Sequence, residues 1–226
     1  MPNALFVEIE ARQSTTEEIR DFLEQALAKA QGEPDTRDWY AIRFDESHFG
    51  IFDTFDGAMG RIKHIAGAIG RGLVIKTVTS LHGMPHVSMS EIVAAIVPDP
   101  NAVPTVGTYV EIETRLGAGR DFGEALVKAR ENAASEADTL AWYALRTAKN
   151  GYAVFDTFPH EEARAAHLHG IAHNGVMEAI NRFVDTPVVF RRFDIIASKQ
   201  SGWIGISSAE QQVHSEQPVR VGPKTA

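Results

Sequence analysis

The 226-residue chain contains no cysteine. That absence removes disulfides, thiolate nucleophiles and zinc–thiolate sites together, so any nucleophile or metal ligand must come from other side chains. No apolar run approaches the roughly 18 residues needed to span a bilayer, and the N-terminus lacks the basic-then-apolar pattern of a secretory signal. A cytoplasmic location and no membrane partner are expected. Cations are also few: 22 Lys and Arg stand against 30 Asp and Glu, a net charge of −8, and no basic cluster offsets it locally. Nucleic acid is therefore not expected as a partner.

What the sequence does contain is itself, twice. At an offset of 103 residues, Val7-Glu8-Ile9-Glu10-x-Arg12 falls on Val110-Glu111-Ile112-Glu113-x-Arg115. Without a gap, Trp39-Tyr40-Ala41-x-Arg43 then meets Trp142-Tyr143-Ala144-x-Arg146, and Phe52-Asp53-Thr54-Phe55 meets Phe155-Asp156-Thr157-Phe158. Arg61, His64 and Gly67 match Arg164, His167 and Gly170. Two copies indicate a fused pair rather than a solenoid. The boundaries are drawn at 1–98 and 105–200, with a proline-rich linker between them and a tail at 201–226 whose Trp203 and Ile204 are expected to dock.

Each copy reads as β-α-β-β-α-β. In the first, Leu5 to Arg12 alternates apolar and charged residues, the period of a half-buried strand. Ser14-x-x-Glu17 has the form of a capping box before a helix reaching about Lys29, with Ile19, Phe22, Leu23, Ala26 and Leu27 on one face. Strands are expected near Trp39–Phe44 and Phe49–Phe55, then a helix capped by Asp56 and carrying His64, a glycine-interrupted helical stretch, and a strand near Val87–Val97. In the second copy Pro159 is expected in the first turn of the equivalent helix. This is the split βαβ, or ferredoxin-like, order. A four-stranded sheet with helices on one face needs cover on the other, and a twin sheet supplies it. The fold class is thus α+β: two ferredoxin-like repeats packed sheet to sheet as a pseudo-dimer, either monomeric or weakly homodimeric. Strand parity places Glu8, Glu10, Glu111 and Glu113 toward the twin sheet, where an ion network with Arg12, Arg43, Arg115 and Arg146 is expected.

The run Gly50-Ile-Phe-Asp-Thr-Phe through Arg61-x-x-His64-Ile resembles the antibiotic-biosynthesis-monooxygenase family of dimeric α/β barrels, and Ala153-Val-Phe-Asp-Thr-Phe through Arg164-x-x-His167-Leu resembles it more closely. The family pattern is a strand acid, an aromatic two positions on and a helix histidine 11 residues after the acid. Asp53, Phe55 and His64 hold those places in copy one, and Asp156, Phe158 and His167 in copy two. The chain departs from the usual pattern in having Asp for Glu, Phe for Trp or Tyr, and no Asn in any of the strands expected from the sequence, the first of which begins at Leu5. The resemblance implies a family dimer made in one chain, and oxygenation of quinol-like or polyketide-like aromatics without metal or flavin. In one branch of the family it implies haem binding.

A helix histidine beside a sheet can take a proton from a phenolic substrate near neutral pH, so His64 and His167 are the catalytic candidates. Trp39, Tyr40, Asp53, Phe55, Trp142, Tyr143, Asp156 and Phe158 are the candidate substrate-binding residues, the aromatics for stacking on a flat ligand. His169 and His173 have helical ligand spacing, but no carboxylate completes a set, and no metal is assigned. Three readings stay open: a cofactor-independent monooxygenase of an aromatic small molecule, a non-catalytic small-molecule-binding or stress-related protein, and a haem-binding protein using His167.

Overall fold

The computed structural model describes residues 2–202. Repeat one runs β1 (Asn3–Glu10), α1 (Thr16–Gln31), β2 (Thr36–Arg43), β3 (His48–Phe55), α2 (Ala58–Ile65), α3 (Ala68–Thr79) and β4 (His86–Ile96). Repeat two runs β5 (Val106–Glu113), α4 (Gly119–Ala134), β6 (Ala141–Arg146), β7 (Gly151–Phe158), α5 (Glu161–His167), α6 (Ile171–Phe183) and β8 (Arg191–Lys199). The expected order is present in both, with the second helix of each repeat broken in two. β1 starts earlier than the expected Leu5 and takes in Asn3, so one strand does carry an Asn. Gly67 and Gly170 take extended backbone at the break. The docking expected of Trp203 and Ile204 lies outside the described residues. No described helix is long and apolar enough to cross a membrane.

The two sheets face each other and also join at their edges. The strands close into one barrel in the order β1-β3-β2-β8-β5-β7-β6-β4. Closure depends on the last strand of each repeat being long enough to serve two neighbours. β4 pairs with β1 through His86–Glu91 and with β6 through Glu91–Ile96. β8 likewise pairs with β5 through Arg191–Asp194 and with β2 through Asp194–Lys199. An eight-stranded barrel is just narrow enough for side chains to fill. Equivalent residues meet across its pseudo-two-fold axis: Phe52 stacks on Phe155 with centroids 4.0 Å apart, and Phe6 lies 4.3 Å from Tyr109. Two further cores lie outside the barrel wall, one beneath the helices of each repeat.

Strand parity holds on the apolar side: Val7, Ile9 and Ala11 join the core beneath the helices. The expected ion network does not form, because the Glu and Arg side chains reach the barrel rim and find nearer partners there. Glu8 binds Arg191 at 2.7 Å, Arg146 pairs with Glu91, and the Tyr109 hydroxyl donates to Glu111. Arg12 and Arg43 donate to backbone carbonyls, and Arg115 pairs with Asp185. Three helix starts also differ from expectation. A short 3-10 turn over Gln13–Thr15 precedes α1, so Ser14 is not its cap, and Thr15 donates to the Ser80 carbonyl instead. Asp56 pairs with Arg37, leaving Gly57 before α2. His160, not Pro159, flanks α5, and its ring accepts from the Ala163 amide.

Candidate functional site

The second helix of each repeat lies over the sheet end where β1 and β3, or β5 and β7, meet. An arginine anchors it there: Arg164 donates to the carbonyls of Gly107 and Phe193, and Arg61 to those of Ala4 and Ser90. One turn on, His64 and His167 point down beside Asp53 and Asp156. His64 Nε2 lies 3.5 Å from Asp53 Oδ2, and His167 Nε2 lies 3.4 Å from Asp156 Oδ2. Phe55 and Phe158 flank the imidazoles with centroids 5.5 and 4.9 Å away.

The other ring nitrogen of each histidine meets a second carboxylate. His64 Nδ1 is 2.5 Å from Glu33, and His167 Nδ1 is 2.5 Å from Glu136. Thr36 and Thr139 donate to the same carboxylates. Glu136 also accepts from the Ala172 amide in the first turn of α6, at the positive end of the helix. The helix-break glycine makes this possible, since a Cβ at Gly170 would lie 2.5 Å from Glu136 Oε1. Each repeat thus holds a Glu–His–Asp line whose His and Asp are buried and whose Glu is partly exposed. Glu33, Thr36, Glu136 and Thr139 were not among the expected site residues. Their signal was in the repeat: Glu-x-Asp-Thr-x-x-Trp-Tyr occurs at Glu33–Tyr40 and again at Glu136–Tyr143.

Two acidic groups around one imidazole favour its charged form. Burial alone would lower the pKa of His167, but Asp156 and Glu136 outweigh it and push it up to about 9. His64 is likewise raised, burial being outweighed by Asp53 and Glu33. At neutral pH the His167 side chain is an imidazolium ion. The expected role of His167 as a neutral base is revised accordingly: a cation between two carboxylates stabilises an anion rather than taking a proton.

The aromatic candidates divide between the two faces of the sheet. Trp39 is the cross-strand neighbour of Asp53 and Trp142 that of Asp156, both fully buried on the helix side. Tyr40 and Tyr143 follow them in sequence and so point into the barrel, where Tyr143 donates to Asp38 at 2.7 Å. The tyrosines therefore share no pocket with the histidines. His169 is exposed and His173 packs on Phe190, and among the described residues no group of three His, Asp or Glu could hold a metal.

A cleft of about 340 Å³ opens beside repeat two, lined by Glu136, Thr139, Ala163, Ala166, His167 and Ile171 among others. A cleft beside repeat one, about 390 Å³, is lined by Asp35, Asp56 and Lys63 among others and does not reach His64. A larger cleft, about 570 Å³, lies at the opposite end of β5 and β7 and touches none of the candidates.

This architecture has solved counterparts. A protein provisionally named a monooxygenase from Fusobacterium nucleatum subsp. nucleatum superposes with a TM-score of 0.79 at 13% identity, covering 90% of this chain and 96% of that one. One from Lactobacillus acidophilus, also provisionally named a monooxygenase, gives 0.75 at 14%, covering 89% and 97%. The chain has the same fold as these two proteins. An anthrone oxidase-like protein shares that fold with a TM-score of 0.61 at 9% identity over 89% of this chain and 94% of its own. No protein-family profile and no curated protein matches the sequence.

Proposed function

We propose that the protein is a cofactor-independent monooxygenase of a small hydroxylated or quinol-like aromatic molecule, working in the cleft of repeat two. The observation that carries this reading is the border of that cleft, where Glu136 and the His167 imidazolium lie side by side. Glu136 accepts the proton of a bound hydroxyl or enol. The resulting oxyanion is stabilised by His167, whose charge is worth more in a site with little water. An anion of this kind is electron-rich enough to reduce oxygen. A ring carbon bearing two hydrogens, as in an anthrone, becomes a carbonyl: one atom of O2 enters the ring, the other leaves as water with the two hydrogens, and the substrate supplies all four electrons. The anthrone oxidase-like neighbour is consistent with such a substrate, as are the neighbours provisionally named monooxygenases.

Haem, which the resemblance implies for one branch, does not fit. An axial ligand needs a ring nitrogen open to the iron, and both nitrogens of His64 and of His167 lie against carboxylates, which leave no room for a haem. The same geometry favours a second reading, in which the Glu–His–Asp lines are structural and the cleft only binds a ligand.

Oxygen uptake over a panel of hydroquinones, anthrones and catechols, with chelator present, separates the two. The monooxygenase reading expects uptake that survives chelation, falls at least tenfold in Glu136→Gln and His167→Ala, and changes little in His64→Ala. Uptake no faster than autoxidation across the panel, with quenching of Trp fluorescence by the same compounds, supports the binding reading.

A further inference from the structure

The helical side of repeat one departs from that of repeat two in a way the fold does not require. Between Gly57 and Ser90 the chain has no Asp or Glu, although the whole sequence has 30. Nine of the fourteen large apolar side chains exposed among the described residues fall in this stretch. α3 has two apolar faces. Ile69 and Leu73 turn toward the core, whereas Val74, Ile75 and Val78 are 69%, 64% and 76% exposed. A helix apolar on both faces is ordinarily covered on both. The sheet adds to this surface. Val87 and Met89 of β4 pair with Val7 and Leu5, whose side chains face the helices, so they point to the side of α3, and both are about half exposed.

Repeat two serves as an internal control. At the positions of Ile75, Val78 and Met89 it carries Glu178, Asn181 and Arg192. The same fold is therefore built with polar side chains at these places, and their apolar character in repeat one answers to something other than folding. Summed over the nine side chains, the exposed apolar area of the stretch is on the order of 1,000 Å², comparable with the ~800 Å² per partner of a stable interface.

Charge selects the occupant. A lipid surface or an acidic partner would be held by free cations, but Lys63 is paired with Asp35 and Lys76 with Glu18. Arg61 donates to the carbonyls of Ala4 and Ser90, and Arg71 to that of Ala66. The surface is mostly apolar, two of its four Lys and Arg side chains are paired with carboxylates and the other two are held to backbone carbonyls, so little free charge opposes the meeting of two such surfaces. We infer that the α2–α3–β4 face of repeat one is an isologous interface joining two copies of this chain.

Light scattering on the full chain after gel filtration should give twice the 24.8 kDa chain mass. Val74→Asp with Val78→Asp should halve that mass and leave the circular dichroism unchanged, because both side chains are exposed. Val127→Asp with Ile171→Asp, at exposed apolar positions of repeat two, should leave the dimer intact. A monomeric full chain overturns the inference, and so does a dimer indifferent to the Val74/Val78 pair. A monomer that sediments with phosphatidylglycerol vesicles assigns the face to a lipid surface instead. A chain ending at Gly202 that dimerises when the full chain does not assigns it to residues 203–226. Hydrogen exchange gives a reading independent of any variant's folding: protection of α3 and β4 in the full chain should fall on dilution, and exchange that ignores concentration overturns the inference.

Discussion

Asp53 and Asp156 occupy equivalent places on β3 and β7 yet differ in what they bond. Asp156 accepts from the amide and the hydroxyl of Thr108. Repeat one has Leu5 at that position, and neither oxygen of Asp53 has a hydrogen-bond partner. Burial therefore raises Asp53 to about 7, the neighbouring His64 offsetting only part of the shift. The folded state binds this proton more tightly than the unfolded chain, where a carboxyl titrates near ~3.9. Stability tied to Asp53 is full below about pH 4 and is lost as pH rises through about 7. His167 acts in the same direction higher up: its contribution is full below ~6.5 and is lost as pH rises through about 9, a loss of up to about 3 kcal/mol. Urea denaturation should accordingly show falling stability from pH 5 to 9.5. Asp53→Asn should flatten the lower part of that fall and His167→Gln the upper part. A stability that is constant or rises across this range contradicts the protonation states assigned here.

At the scale of elements, the break between α5 and α6 sets the site, and two glycines there have opposite meanings. Gly170 leaves room for Glu136 between the helices. Gly170→Ala should displace that carboxylate from His167 and cost about 1–3 kcal/mol, in the range of substitutions that disrupt a buried polar network. Gly175 lies inside α6, and a Cβ there would meet only the Asn132 amide at 3.4 Å. Gly175→Ala should stabilise the protein by about 0.5–1 kcal/mol through the helix propensity of alanine. Thermal melts of the two variants should move in opposite directions, and a shared direction would remove the distinction. The helices and strands themselves were legible because their periodicities of 3.6 and 2 are local. Their starts were not. Ser14 and Asp56 have the chemistry of caps, but a tertiary partner, Arg37 in the case of Asp56, decides what such a side chain bonds.

For the molecule as a whole, the shared strands make the halves interdependent. β4 completes its pairing only on β6, and β8 only on β2. Contacts between the repeats also break their symmetry. Asp38 takes the Tyr143 hydroxyl and Glu8 binds Arg191, whereas repeat two has Ala141 in the place of Asp38 and repeat one has Ser88 in the place of Arg191. Residues 1–98 and 105–200, produced as separate chains and mixed, should therefore form a one-to-one complex in preference to two homodimers. Native mass spectrometry distinguishes the outcomes, and equal amounts of the three pairings would show that the symmetry-breaking contacts carry no preference.

The sequence alone determined the duplication and the βαββαβ order, which follow from hydrophobic period and from residues close along the chain. The grouping of Asp53, Phe55 and His64 with their copies was implied by the family resemblance. Glu33 and Glu136 stood in the repeat but carried no visible role, because what binds them is a histidine 31 residues away and a glycine that leaves space for them. Tyr40 and Tyr143 were grouped with the histidines by type and separated from them by the alternation of the strand. Only the tertiary structure closed the barrel, gave each imidazole two acidic neighbours and so raised its pKa. Burial and proximity between distant segments govern protonation, and neither can be read from residues in order.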